Sequence, residues 1–191
     1  LYSGVVMIKK VGENTIKFTL PPKIASGYAI VGPKEGLSPL SSYFDYILKN
    51  DAFNEKTYEK AERKMLEQAI SGAIDKANLL STDIDILLSG DLLNQIISAS
   101  FSARQLQTSF IGLFGACSTM TEALAVGACI IDGGCADKVA CATSSHFSTA
   151  ERQFRYPLEL GCQRPPTSQW TVTGAGCTIL SRDGEGHNIT H

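Results

Sequence analysis

The sequence FIGLFGACST, residues 110–119, decides the fold of this chain. Its strand-like apolar part breaks at glycine and leads into a predicted helix whose first turn carries one cysteine, Cys117. Unpaired backbone N–H groups and the positive end of the helix dipole favour a thiolate there, so Cys117 is a candidate nucleophile. The residues that follow, 120–134, are mostly small or apolar, with Glu122 and Asp132 the only charges. A helix of that composition is typical of a protein centre, where other backbone approaches it closely.

The composition of the whole chain excludes several classes of function. The chain has 191 residues, of which 43% are hydrophobic and 19% charged, so it can bury one sizeable core or two small ones. Its formal net charge of -2 leaves no basic surface for nucleic acid. The longest apolar run, residues 123–131, is well short of the roughly 20 residues that span a bilayer, and no signal-peptide pattern opens the chain. Since the first residue is Leu, we expect the sequence to be a piece of a longer protein.

The six cysteines do not form a metal-binding or disulfide pattern. None of them shows C-x-x-C spacing, and most lie in or beside apolar helix or strand patterns. They are predicted to be reduced, mostly buried thiols that fill the core, with no metal and no cofactor. Only Cys117 has a special position.

Alternating strand and helix patterns run through most of the chain. A hairpin is predicted from runs 5–10 and 15–20, and the clearest amphipathic helix covers residues 57–80. Strands are predicted at 28–33, 84–90, 109–114, 138–143 and 171–181, a short helix at 43–49, a helix at 91–105, and a hairpin turn at 183–186. This alternation indicates an α/β fold with a largely parallel sheet, helices on both faces, and ligand chemistry at the carboxyl ends of the strands.

Three polar clusters follow predicted strands and should meet at that edge of the sheet. They are Asp91 with Asn94, Cys117 with Ser118, and Ser144 with His146. Each also has a simpler interpretation. Asp91 is as well placed to cap a helix, a cysteine at a helix start can be a plain packing residue, and the serines before His146 could cap another helix with a surface histidine beside them. Their convergence is nevertheless the main argument for a binding site.

Four motifs in order carry a family resemblance: GDLLNQ at 90–95, FGACST at 114–119, ATSSH at 142–146 and TAERQFRYP at 149–157. The chain resembles the N-terminal half of thiolase-like condensing enzymes and, within them, the family of stage V sporulation protein AD. The resemblance implies an α-β-α half-fold with a mixed, mainly parallel sheet and a buried central helix starting at Cys117. It further implies that the half-fold covers residues 24–191 and that a second half is missing from this chain. The strand and turn pattern predicts a separate N-terminal hairpin at 1–23.

The family resemblance also implies a function. Its members are known to bind dipicolinic acid, with or without calcium, and to assist its uptake into the developing spore with other channel proteins at the spore inner membrane. A flat dianion of this kind needs cationic side chains, hydroxyl or N–H donors and a helix N-terminus. The predicted ligand-binding residues are Asp91, Cys117, Ser118, Ser144, His146 and Arg155.

Two other hypotheses stay open. The chain could be an acyl-transferring condensing enzyme with Cys117 as nucleophile, but the second half, which supplies most of the remaining catalytic groups in such enzymes, is absent. It could instead be mainly an interaction subunit, since the apolar face of the Cys117 helix would be exposed in a lone half-fold. We therefore expect a homodimer or larger assembly.

Overall fold

A computed structural model of the chain describes residues 9–93, 96–154 and 171–191, with the side chains of 151–154 left out. The helices are α1 (Tyr58–Lys76), α2 (Ile97–Leu106), α3 (Thr119–Asp132) and α4 (Phe147–Phe154). The strands are β1 (Lys10–Val11), β2 (Thr15–Ile16), β3 (Lys23–Val31), β4 (Tyr46–Ile47), β5 (Ile86–Asp91), β6 (Ser109–Gly112), β7 (Lys138–Ser145), β8 (Gly174–Ser181) and β9 (His187–Asn188).

The central sheet is mixed, and most of its strands run in one direction. Its order is β4-β3-β8-β7-β5-β6, with β9 beside β3. Neighbouring strands are parallel in the pairs β3–β4, β5–β7 and β5–β6, whereas β8 is antiparallel to β3 and β7. Because β8 is antiparallel to the strand on each of its two sides, β3 and β4 run in the same direction as β5, β6 and β7. The predicted mainly parallel sheet is confirmed for the described part of the chain.

Alternation along the strands builds a core on each face of the sheet. Ala140 and Ala142 of β7 pack into the cluster formed with α1 and α2, while Val139 and Cys141 pack into the cluster beneath α3. Side chains of successive strand residues point to opposite faces, so one strand serves both layers. The predicted α-β-α layering follows from this pattern.

Helix α1 confirms the most regular periodicity in the sequence. The Thr57 side chain caps its N-terminus by accepting a hydrogen bond from the N–H of Lys60 at 3.3 Å. The buried residues of α1 recur every three or four positions and include Met65 and Ile70, as an amphipathic helix requires. The helix ends at Lys76, four residues before the predicted limit.

Helix α3 is buried on one side only. A Cβ on Gly127 would lie 3.1 Å from the sulfur of Cys141, which shows how closely the helix packs on the sheet. On the opposite side Thr121, Ala125 and Cys129 are exposed and form a stripe one turn apart. We call these three residues the open face of α3. The expectation of a helix buried all round is therefore wrong for this chain by itself.

The charge at the end of α3 is paired. The Asp132 carboxylate lies 2.6 Å from the Lys9 ammonium, and it accepts hydrogen bonds from the N–H groups of Thr19 and Leu20 at 2.9 and 2.7 Å. These contacts fasten the segment of β1 and β2 to the α3 layer.

Several local predictions need correction. Residues 43–49 form no helix: a 3₁₀ turn at Ser41–Tyr43 leads into β4, because Asp45 exchanges hydrogen bonds with the backbone of Ala29 and aligns this segment with β3. The hairpin is confirmed only as the short pair β1–β2, and residues 5–8 lie outside the described part. The turn at 183–186 leads to β9, which pairs with β3 rather than with β8.

The cysteines are also less buried than predicted. Cys117, Cys129 and Cys135 are exposed, whereas Cys141 and Cys177 are buried, and all five are free thiols. Cys162 lies outside the described residues.

Candidate functional site

A cleft of about 500 Å³ opens at the edge of the sheet where β3, β5 and β7 end and β8 begins. Among the residues that line it are Val31 of β3, Gly90 and Asp91 of β5, Ser144 and Ser145 of β7, and Gly174 of β8. Cys117 and Thr119 close one side. The predicted convergence of polar residues at this edge is confirmed for Asp91, Cys117 and Ser144.

Cys117 reaches the cleft from a 3₁₀ turn, Ala116–Ser118, that precedes α3. Ala116 has φ +49°, a left-handed conformation that costs a non-glycine residue roughly 1–2 kcal/mol. The Thr119 hydroxyl holds this turn by donating to the Ala116 carbonyl at 2.9 Å and accepting from the Gly115 N–H at 3.1 Å. Cys117 is thus exposed on a tightly fixed turn just outside the α-helix, not in its first turn as predicted.

Ser118 does not line the cleft. Its hydroxyl donates to the carbonyl of Gly115 at 2.8 Å, so it contributes to the turn that carries Cys117. Its predicted role as a ligand-binding residue has no geometric support in the described structure.

Asp91 both lines the cleft and binds the first turn of α2. One carboxylate oxygen accepts from the N–H of Leu93 and the other from the N–H of Ala99, each at 2.8 Å. Burial raises the pKa of Asp91, and these N–H donors oppose the rise. The predicted helix start at residue 91 is wrong, because Asp91 is the last residue of β5 and α2 begins only at Ile97. Asp91 is therefore not the N-cap residue, and its carboxylate binds the first turn of α2 from outside the helix. Asn94, its predicted neighbour in the site, lies outside the described residues.

Ser144 connects the cleft to a buried carboxyl group that the sequence analysis missed. Its hydroxyl donates at 3.1 Å to one oxygen of Glu62, a fully buried residue of α1, and the Thr149 hydroxyl donates at 2.7 Å to the other oxygen. Desolvation raises the pKa of Glu62 to about 7, with the negative charge of Asp91 adding to the effect. Glu62 lies among the buried positions of α1. A charged residue on the buried face of an amphipathic helix is the sequence signal that could have identified it.

His146 follows Ser144 and Ser145 but points away from the cleft. Its ring stacks against Tyr58 and Phe147, with centroids 4.7 and 5.0 Å away. The Ser148 N–H donates to Nδ1, which leaves Nε2–H to donate to the Asp51 carbonyl, and burial lowers the pKa of the imidazole. His146 is therefore a neutral packing residue, fully buried rather than on the surface.

Glu35 is a second cleft residue that sequence reasoning missed. One oxygen accepts from the N–H of Thr173 at 3.1 Å, and the other is buried with no hydrogen-bond partner among the described residues. Glu35 lies in a loop of mixed composition that shows no motif. Glu35 and Asp91 are the charged side chains in the described lining, which contains no Lys, Arg or His. Arg155, predicted to supply positive charge, lies outside the described residues.

Within the part of the chain that the structure describes, no group of three or more His, Cys, Asp or Glu residues could hold a metal ion. In the same ranges, no helix is long and apolar enough to cross a membrane.

The fold is that of thiolase-like condensing enzymes. A 3-oxoacyl-[acyl-carrier-protein] synthase III from Aquifex aeolicus matches 86% of this chain with a TM-score of 0.57 and 18% identity, over 55% of its own length. An OleA variant from Xanthomonas campestris matches 85% of the chain with a TM-score of 0.57 and 16% identity, over 56% of its length. At such identities these likenesses establish the fold alone.

Sequence comparison defines the family more narrowly. The model of the family "Stage V sporulation protein AD (SpoVAD)" matches residues 12–191. The stage V sporulation protein AD of Bacillus subtilis is 46% identical over 175 residues, which are 92% of this chain and 52% of that protein. The chain belongs to the stage V sporulation protein AD family, and it spans about half the length of this curated relative.

Proposed function

We propose that the cleft binds dipicolinic acid, with or without calcium, and that the complete protein assists the uptake of this compound into the developing spore. Family membership and the chemistry of the cleft support this proposal. The volume of about 500 Å³ lies in the usual range of small-molecule sites, roughly 300–1,000 Å³. The observation that carries it is the meeting of Cys117, Ser144 and Ser145 at a sheet edge, where ligands of open α/β folds bind.

The charge of the cleft favours the calcium chelate over the free dianion. Glu35 and Asp91 would repel two ligand carboxylates, and the described lining offers no cation to offset them. A calcium ion bound to dipicolinate neutralises the two ligand carboxylates, so the repulsion by Glu35 and Asp91 becomes weaker. Arg155 remains the proposed source of additional positive charge.

Calorimetric titration with dipicolinate, with and without calcium, tests this proposal. We expect saturable heat with dipicolinate, and a higher affinity when calcium is present. Isophthalate, which has the same shape but lacks the ring nitrogen, should give no heat. Arg155→Ala should weaken binding without lowering thermal stability. Absence of heat in a protein that contains both halves would refute the proposal.

Acyl transfer by Cys117 is the second candidate function, favoured by the exposure of this thiol in the cleft. A condensing reaction also needs a general base near the nucleophile. The ring of His146 does not supply one, because it faces the α1 layer and not the cleft. Incubation with acyl-coenzyme A followed by mass spectrometry tests this candidate. An adduct that disappears in Cys117→Ser would support it, and no adduct would end it.

The open face of α3 favours a third role, as an interaction surface. Thr121, Ala125 and Cys129 expose small side chains on a helix that is otherwise packed on the sheet. We propose that a second copy of the chain covers this face in solution, and that the complete protein lies at the spore inner membrane beside other channel proteins. Light scattering at several concentrations tests the self-association.

A further inference from the structure

The buried carboxyl group of Glu62 lies directly behind the floor of the cleft. Glu62 is 0% exposed, yet none of the described ion pairs includes it. Its two oxygens are instead satisfied by the hydroxyl groups of Ser144 and Thr149. Only Ser144 of these two also lines the cleft. A burial of this kind is costly for a carboxylate, so it needs an explanation beyond packing.

The single proton of the Ser144 hydroxyl links Glu62 on one side to the cleft on the other. While Glu62 is ionised it can only accept, so the Ser144 proton points toward it and the cleft meets oxygen lone pairs. A protonated Glu62 can donate to Ser144, whose own proton is then free to turn toward the cleft. The second hydroxyl does not compete for this change, because Thr149 has an alternative acceptor in the carbonyl of His146 at 3.0 Å.

We infer that Glu62 is a positioning residue that sets whether Ser144 offers a donor or an acceptor to a ligand in the cleft, so that a carboxylate ligand binds together with a proton. The inference rests on the proposed function and deepens it, since it names how the site distinguishes anionic ligands. Anion affinity is then highest when Glu62 is protonated and falls as the pH rises.

The groups around Glu62 fit this assignment. Among the described side chains, the charges that face it are Asp91, at the end of β5, and Glu59, on its own helix, and both favour its protonated form. The imidazole after β7 belongs to His146, which is held neutral between aromatic rings. Beneath α1 lies Cys177 of β8, a thiol whose burial raises its pKa. The side chains of α4 from residue 151 onward lie outside the described part.

The test is calorimetric titration of the complete protein, which contains both halves, with dipicolinate, with calcium present, at about pH 6 and about pH 8. With a pKa near 7, the protonated fraction of Glu62 falls about tenfold over this interval, so we expect wild-type affinity to fall by about tenfold. Glu62→Gln, which keeps a neutral donor beside Ser144, should bind with nearly equal affinity at both pH values. Glu67→Gln is the matched control, because Glu67 lies on the same helix but pairs with Arg63, and it should keep the wild-type pH profile.

A second variant guards against a folding defect in the first. Ser144→Ala removes the link itself and should also flatten the profile, with lower affinity at the acidic pH. Equal wild-type affinity at both pH values would overturn the inference and leave the proposed function standing. No heat at any pH would refute the proposed function and the inference together.

Discussion

Substitution of Gly90 by alanine should distort the site through a single added carbon. A Cβ on Gly90 would overlap the carbonyl oxygen of Leu113 and lie 2.7 Å from the Cγ2 of Thr119. The obstacle is backbone, in the segment that leads to Cys117, so it cannot move aside as a flexible side chain would. Overpacking of this kind costs about 1–3 kcal/mol. The gain from a less flexible unfolded chain returns only about 0.4–1 kcal/mol.

The expected net loss is about 1 kcal/mol, which for a chain of this size lowers Tm by roughly 2–4 °C. Gly176→Ala is the matched control, since Gly176 also lines the cleft but its added Cβ would meet its nearest neighbour, the Cε of Met120, at 3.6 Å. Denaturant unfolding measures the free energies, and peptide-resolved mass spectrometry measures how fast Cys117 is alkylated. We expect Gly90→Ala to lower the free energy of unfolding and to change the alkylation rate, whereas Gly176→Ala should lose no stability and should keep the wild-type alkylation rate. A Gly90→Ala protein with wild-type stability would refute the close approach of the two backbone segments.

Three further predictions concern stability and assembly. Asp132→Ala should cost about 1–3 kcal/mol, because it removes the acceptor of two backbone N–H groups and the partner of Lys9, and it should speed proteolysis before β3. Lys9→Met should cost less, because the Asp132 carboxylate keeps both N–H donors; comparable losses would contradict this. The pKa of Glu62 is raised in the folded protein from 4.5 to about 7, so its ionised form opposes folding above pH 7. Wild type should therefore gain on the order of 3 kcal/mol relative to Glu62→Gln between about pH 8 and about pH 5, measured by urea unfolding, and a constant difference would argue against a shifted pKa. Ala125→Arg on the open face of α3 should yield a monomer by light scattering, with wild-type stability by urea unfolding. Wild type that is already monomeric at every concentration would exclude the proposed homodimer.

The sequence determined the elements whose signal is local. The spacing of apolar residues located α1, and the apolar runs before Gly90 and after Ser109 located β5 and β6. The break at Gly115 placed Cys117 between a strand and a helix. Alternation of strands and helices was enough to predict the layers and the edge at which Asp91, Cys117 and Ser144 meet, because parallel strands end on the same side of a sheet.

Tertiary structure decided what each side chain at that edge does. Nothing local distinguishes a histidine that faces a cleft from one that stacks between Tyr58 and Phe147, since the two differ only in which layer the ring joins. Likewise, pairing with β3 overrode the helical tendency of residues 43–49, because hydrogen bonds to Ala29 are available only once the sheet has formed.

Cys117 and Glu62 show the division between sequence and structure. The sequence by itself placed Cys117 where a strand gives way to a helix, because a glycine break and a run of small residues are local features. Only the folded chain set that cysteine on a 3₁₀ turn beside a cleft, and brought Glu62 behind Ser144 across 82 positions of sequence. Contacts over such distances depend on how the layers pack, which no local pattern encodes.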